Sequence, residues 1–233
     1  MFKKLLEYPM DALRIMYPKL CGACTNPLAK GEEHLCFSCR VGLPFTQFET
    51  IKDNPVEKLF YGRVPLEFAS AMLFFTKHEK VQNILHTIKY NENKALAVFM
   101  GKVFAQRLQN IEVLKDVSIV MPVPLHLHKL HLRGYNQSEL IAQGMNEILN
   151  KQLAINNLVR NINTQTQTNK TRTERWENVA AAFEIKHPSI LENQHILLVD
   201  DVLTTGATLE ACAQSLQQSA NCKVSIATLA FAM

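Results

Sequence analysis

The sequence predicts an α/β protein, a parallel sheet flanked by helices on both faces, with a small four-cysteine segment in front of it. Three observations carry that expectation. Strand-length aliphatic runs alternate with helix-length periodic segments from residue 66 to the end, the pattern of parallel βα units. One run, "ILLV" at 196–199, places four aliphatic residues in succession, as a strand buried on both faces does. Two CxxC pairs lie close together ahead of all this.

The elements follow in order. "LEFASAMLFFT" (66–76) reads as a strand, "EKVQNILHTIKY" (79–90) and "KALAVFMGKVFAQRLQN" (94–110) as helices, and "VSIVMPVP" (117–124) as a strand. "NQSELIAQGMNEILN" (136–150) is a helix, followed by a short strand near "INNLVR" (155–160) and a polar, threonine-rich loop. "NVAAAFEI" (178–185), "HILLVD" (195–200), the helix "TLEACAQSLQQSA" (208–220) and the strand "KVSIATLAFA" (223–232) complete the chain. The stretch 41–65 has prolines, glycines and no sustained period, so it reads as a connector. The organisation expected is therefore an N-terminal helix and four-cysteine unit at 1–45, a connector at 46–65 and the α/β domain at 66–233.

Composition narrows the function classes. With 233 residues and 47% hydrophobic content, the chain can bury a full core. A formal charge of +4 permits an anionic ligand but falls short of a nucleic-acid-binding signature. Glu7, Asp11 and Arg14 interrupt the N-terminal apolar stretch, and Lys102 cuts the longest apolar run, so neither a secretory signal nor a membrane span is expected. The location expected is cytoplasmic.

In such a compartment Cys21, Cys24, Cys36 and Cys39, two knuckles separated by eleven residues, read as a tetrahedral structural zinc site. A redox pair or plainly buried cysteines are the rival readings. Cys212 lies in an alanine-rich helical stretch and reads as a small core residue.

The stretch "ILLVDDVLTTGAT" (196–208) carries the most chemistry. Ligands of an open α/β sheet sit beyond the carboxyl ends of its strands. There Asp200 and Asp201 can splay and accept hydrogen bonds from neighbouring hydroxyls, as a ribose diol offers. Thr204, Thr205, Gly206, Ala207 and Thr208 supply backbone N–H groups and hydroxyls at a helix N-terminus, with Gly206 allowing close approach, which suits a phosphate. Diol and phosphate together describe a ribose 5-phosphate. Magnesium-binding and purely structural αβ turns share the outline of the motif.

These residues resemble the signature of the type I phosphoribosyltransferases, which bind phosphoribosyl pyrophosphate (PRPP) with Mg2+. Together with "PVPLHLHKLHLRGYNQSEL" (122–140), "TQTQTNKTRTERWENVAAAF" (164–183) and the four cysteines, they resemble the ComF family over nearly the whole chain. The resemblance implies a type I phosphoribosyltransferase-like domain behind a zinc finger that holds structural Zn2+, with a link to DNA uptake in natural competence. This chain departs from the family pattern at Leu127, His128, His131 and Leu132, where basic residues are usual, and at Lys170 and Ala181.

Transfer from PRPP generates a cationic ribosyl centre as pyrophosphate leaves, so cations and donors must converge on the leaving group. Pro122, Val123 and Pro124 follow a strand end and are placed for a pyrophosphate loop, with Arg133, Asn136 and Gln137 close behind. Arg172, Arg175 and Asn178 lie on the long loop that folds over substrate in similar transferases, Arg175 being the catalytic candidate beside Asp200 and Asp201. Pairing of Arg172 and Arg175 with Glu174 and Glu177 on a solvated face is the rival reading, close behind. His126, His128 and His131 read as surface basic residues before they read as metal ligands. Lys89 and Tyr90 end a helix and could face the cleft, although capping the terminus is the plainer role for the lysine. No general base or acceptor pocket is legible, so two functions stay open: a PRPP-dependent transferase of unknown acceptor, or a non-catalytic PRPP-responsive adaptor. The adaptor would dock single-stranded DNA or a protein of the competence machinery. Lys129, Arg133, Arg160, Arg172 and Arg175 could track a DNA backbone, with Tyr135 and Trp176 the only candidates for stacking.

Overall fold

The structure, a computed structural model, describes residues 18–77, 79–90, 93–160 and 183–232. After a short helix α1 (Phe37–Val41) and helix α2 (Pro55–Phe60) comes strand β1 (Phe68–Phe75). Then follow α3 (Lys80–Tyr90), α4 (Lys94–Leu108), the single turn α5 (Glu112–Lys115) and β2 (Ile119–Pro122). Helices α6 (Leu127–Arg133) and α7 (Gln137–Leu149) precede strands β3 (Gln152–Leu153), β4 (Leu158–Arg160) and β5 (Phe183–Ile185). Strand β6 (His195–Leu203), helix α8 (Ala207–Ala220) and strand β7 (Lys223–Ala232) close the chain.

Five strands form one parallel sheet in the order β1-β7-β6-β2-β3, and β4 and β5 form a separate antiparallel ribbon. The α/β class expected from the alternation is the class found. β6 and β7 are central and buried nearly throughout, because each face of the sheet carries a core. On one face Leu197, Val199, Ala227 and Leu229 meet α3, α4 and α7; on the other Ile196, Leu198, Val224 and Ile226 meet α2 and α8. This explains the unbroken aliphatic runs, since neither side of these strands faces water.

Two glycines bring α4 and α7 into backbone contact. A Cβ at Gly101 would stand 2.2 Å from the Ile141 carbonyl oxygen, and one at Gly144 would stand 2.0 Å from that of Val98. No larger residue fits at either position without parting the helices.

The stretch 46–65 holds more structure than its irregular sequence suggests. Asn54, 1% exposed, accepts from the N–H groups of Val56 and Glu57 to start α2, and its Nδ2 donates to the carbonyls of Phe48, Ile51 and Ala69. The Glu57 carboxylate accepts from the Asn54 N–H and completes a capping box. Phe48, Val56, Phe60 and Val64 enter the second core, and the chain around Pro44 and Thr46 hydrogen-bonds along β1. The outer edge of β1 is thereby covered rather than left open to pairing.

Candidate functional site

β6 runs on to Leu203, past the acids that the motif placed at its end, and it stays paired with β7 up to Leu203 opposite Phe231. Alternation along the strand sends the two carboxylates to different partners. The Asp200 side chain accepts from the Ser138 hydroxyl at 2.7 Å and from the Asp201 N–H at 2.9 Å. Asp201, 6% exposed, has its Oδ2 2.8 Å from Lys89 Nζ at the end of α3. Burial, and then the neighbouring Asp201 carboxylate, push Asp200 up to about 7; Ser138, the Asp201 N–H and Lys89 pull the other way. One of two adjacent acids therefore titrates near neutrality.

Behind them, Thr204 and Thr205 are exposed, Gly206 is buried with φ +78 and offers no side-chain cap, and the Ala207 N–H that begins α8 reaches the Thr205 hydroxyl at 3.5 Å. The N-cap position is open to an outside acceptor, and the Thr205 and Thr208 hydroxyls flank it. A Cβ on Gly206 would lie 3.1 and 3.2 Å from two atoms of the Phe60 ring. Arg63, from the same segment, donates to the Thr205 carbonyl at 3.2 Å and pairs with Glu210 on the first turn of α8. The stretch read as a connector thus supports the turn from below.

The Pro122–Pro124 turn leaves β2 beside this motif. The Val123 N–H donates to the Val199 carbonyl at 2.9 Å, and the Val123 carbonyl accepts from Asn136 Nδ2 at 3.0 Å. Asn136 also caps α7 by accepting from the Ser138 N–H, while Arg133 Nη1 donates to Gln137 Oε1 at 2.9 Å. A cleft of about 130 Å³ lies between this turn and the ribbon, lined by Pro122, Pro124, Asn136 and Arg160 among others. Arg160 of β4 pairs in register with Phe183 of β5 beside it. Arg172, Arg175, Trp176 and Asn178 lie outside the described residues.

The four cysteine sulfurs lie within 4.8 Å of one another, the only group of three or more such ligands among the described residues. Cys24 and Cys36 sulfurs stand 3.8 Å apart, and a tetrahedral zinc with ~2.3 Å bonds to sulfur requires about 3.8 Å. The spacing suits a metal and is far too long for a disulfide. Burial pushes the Cys21 thiol up, but N–H groups of Cys36, Cys24 and Ala23 outweigh it and bring it to about 7. Such N–H groups favour a thiolate, the form that binds metal. The segment rests on α3 and α4 through a 2.8 Å bond from Asn83 Nδ2 to the Ala23 carbonyl, the His34–Phe99 ring contact and Gly22 packed on Leu96.

Of the residues singled out in the sequence, the fold gathers Asp200, Asp201, Thr204 to Thr208, Pro122 to Pro124, Asn136 and Gln137 at the carboxyl edge of the sheet. His126, His128 and His131 form no metal cluster; His126 caps α6. Tyr135 is 8% exposed with its hydroxyl donating to the Ile88 carbonyl, so its ring face is not open for stacking. Ser138 and Arg63 were not anticipated, and Lys89 pairs with an acid of the motif rather than only capping α3. "NQSEL" contained the signal for Ser138, a hydroxyl one residue beyond the amides; nothing local marked Arg63.

Residues 136–233 match the phosphoribosyl transferase domain. Over 226 residues the chain is 24% identical to the DNA utilization protein YhgH of Escherichia coli (strain K12), covering 90% of this chain and 95% of that protein. It is 26% identical over 207 residues to the Competence protein ComFC of Bacillus subtilis (strain 168), covering 88% and 81%. A crystal structure of a hypoxanthine phosphoribosyltransferase from Staphylococcus aureus overlays on 59% of this chain and 64% of that one, at 18% identity and a TM-score of 0.37. The sheet, the acid-rich turn on β6 and the four thiols thus stand in a chain that carries a phosphoribosyl transferase domain over residues 136–233 and is similar over most of its length to a DNA utilization protein and a competence protein.

Proposed function

We propose that the carboxyl end of β6 binds PRPP together with magnesium, that the site transfers the phosphoribosyl group to an acceptor, and that it serves DNA uptake or utilization. The observation that carries the reading is the splayed pair Asp200 and Asp201, set one short turn before a helix whose N-cap is Gly206, with Thr204, Thr205 and Thr208 exposed around it. The carboxylates accept the ribose hydroxyls. The N–H groups of α8 and the hydroxyls of Thr205 and Thr208 hold the 5-phosphate. The same two acids, of which Asp201 sits 2.8 Å from Lys89, place negative charge near the ribose and favour the cationic centre that develops as pyrophosphate departs. Arg133 and the Pro122–Pro124 turn face the leaving group, and Arg172, Arg175 and Asn178 are assigned to cover it.

Magnesium would arrive on ligand phosphates, where it would neutralise pyrophosphate charge; among the described residues no group of three ligands surrounds the acids. The four cysteines are assigned to structural zinc. The link to DNA rests on the names of the two relatives, one a DNA utilization protein and one a competence protein.

A second reading, the non-catalytic adaptor, is favoured by Phe37 and Val41, four residues apart on α1 and 73% and 67% exposed. Apolar residues so placed suit a docked partner. Calorimetry tests the shared premise: PRPP with magnesium should bind the parent protein, and replacing both Asp200 and Asp201 by Asn should reduce affinity at least about 100-fold, each pair of charged hydrogen bonds being worth several kcal/mol. Unchanged affinity would sink the ribose assignment. Mass spectrometry of cell extract supplied with protein, PRPP and magnesium then separates the readings, since only the transferase consumes PRPP.

A further inference from the structure

Helix α3 ends directly over the acid pair. Its penultimate residue, Lys89, has 22% of its side chain exposed and sits 2.8 Å from Asp201. The same lysine lines a cavity of about 320 Å³ formed with Tyr90, His128, Lys129, Arg133 and Tyr135. Three cationic side chains thus border the cavity, and no carboxylate is among its described lining residues. The walls are held in place: Tyr135 donates to the Ile88 carbonyl, Arg133 donates to Gln137 and lies over the Tyr90 ring at 5.3 Å. Lys89 is the one lining residue that also touches the acid pair, so its ammonium lies between a buried carboxylate and a cation-rich space.

A lysine carries a point charge on a flexible stem with three donors, and it can turn from one anion to another without moving its backbone. We propose that Lys89 is the specificity-determining residue of the site: it leaves Asp201 for a pyrophosphate group held in this cavity, and so selects pyrophosphorylated ribose over ribose 5-phosphate. The inference rests on the ribose assignment made above. In the empty protein Lys89 neutralises Asp201, which otherwise stands beside Asp200 as a second buried negative charge. When pyrophosphate enters the cavity, its greater charge draws the ammonium away, and the freed Asp201 oxygen accepts a ribose hydroxyl. Ribose 5-phosphate brings no anion to the cavity and must compete with Lys89 for Asp201. The lysine therefore favours one ligand and disfavours the other.

Calorimetry in magnesium, with PRPP and ribose 5-phosphate as separate probes, tests this on the full chain. Lys89→Gln should weaken PRPP binding by about tenfold or more, the worth of a charged hydrogen bond, while ribose 5-phosphate stays within about threefold of the parent or binds more tightly. Lys89→Arg should restore most of the PRPP affinity. Lys129→Ala, on an exposed position of α6 where folding is not at stake, should weaken PRPP alone and by a smaller factor. A structural role for Lys89 would weaken both ligands together, and that result, or unchanged PRPP binding in Lys89→Gln, overturns the inference while leaving the ribose site standing. A parent protein that binds neither ligand removes the ribose assignment and this inference with it.

Discussion

Asp200 carries an electrostatic cost that its neighbours only partly offset. Its carboxyl is pushed from an ordinary value of 3.8 to about 7 by burial and by Asp201. The folded value lies above the unfolded one, so the associated stability is fully present below about pH 4 and is lost as pH rises through 7. Asn at this position can still accept from Ser138 and from the Asp201 N–H, without the charge. Asp200→Asn should therefore be more stable than the parent at pH 8 by about 1–3 kcal/mol, the difference closing toward pH 4, while ribose binding fails. Urea unfolding at pH 8 and pH 5 reads it directly, and a variant less stable at pH 8 would show that Ser138 and Lys89 compensate the charge in full. His195 opposes this trend within the parent. It is 6% exposed, its Nε2 is 2.8 Å from the Ser225 hydroxyl, and burial holds it below 6.5. The stability that depends on a neutral His195 is present above pH 6.5 and falls as the medium becomes more acidic. The parent's own pH profile thus mixes two opposite slopes, and only its difference from the variant isolates Asp200.

At the scale of elements, the turn from β6 into α8 depends on a segment far away in sequence. Gly206 adopts φ +78 against the Phe60 ring, and Arg63 holds the Thr205 carbonyl. A trans peptide points its C=O and N–H in opposite directions, so fixing that carbonyl on Arg63 aims the Gly206 N–H away from Arg63. Gly206→Ala should cost about 1–2 kcal/mol for the left-handed backbone alone, with more if Phe60 cannot yield, and should weaken ribose 5-phosphate binding. A thermal unfolding curve matching the parent's would mean that the turn relaxes freely. The same turn shows what a sequence discloses. The acids, the threonines and Gly206 are adjacent in the chain, so their grouping was legible before any fold was known. Ser138 and Arg63 act across 62 and 142 residues, and only the folding of the sheet brings them in. The strand at 223–232 was legible whole because every position between its two ends is buried. Helix α6 was not, since it buries no residue and its histidines and lysine carry no apolar stripe. Helix α2 was hidden for another reason: it is only six residues long, so Val56 and Phe60 give a single i, i+4 repeat, and Phe48 and Val64 lie beyond its ends.

Across the whole molecule, the two faces of the sheet divide the labour. Helix α8 and the Phe60 segment hold the turn after β6 on one face. On the other, α3 carries Lys89 and α7 carries Ser138, so both partners of the acid pair ride on the layer that also receives the cysteine segment. Cys21, Ala23, Leu35 and Cys39 belong to the same apolar cluster as Ile84, Leu96, Met100 and Ile141. The glycine crossing at Gly101 and Gly144 locks α4 to α7, so loosening α4 is felt at α7. A small unit held by four thiols draws much of its folding free energy from the metal. The purified chain should therefore contain one zinc, and its removal by a chelator, or the change Cys36→Ser, should lower the melting temperature by roughly 2–8 °C, as a loss of about 1–2 kcal/mol does in a domain of this size. Hydrogen exchange locates the effect. Protection should fall throughout 19–44 and, to a lesser degree, along 80–108, whereas α8 keeps its own because it leans on the opposite core, and β6 and β7 keep theirs because that core still holds their second face. Exchange in 80–108 that is indifferent to zinc would show that the cysteine segment merely rests on α3 and α4, and the metal would then have no route to Lys89 or to the acids beneath it.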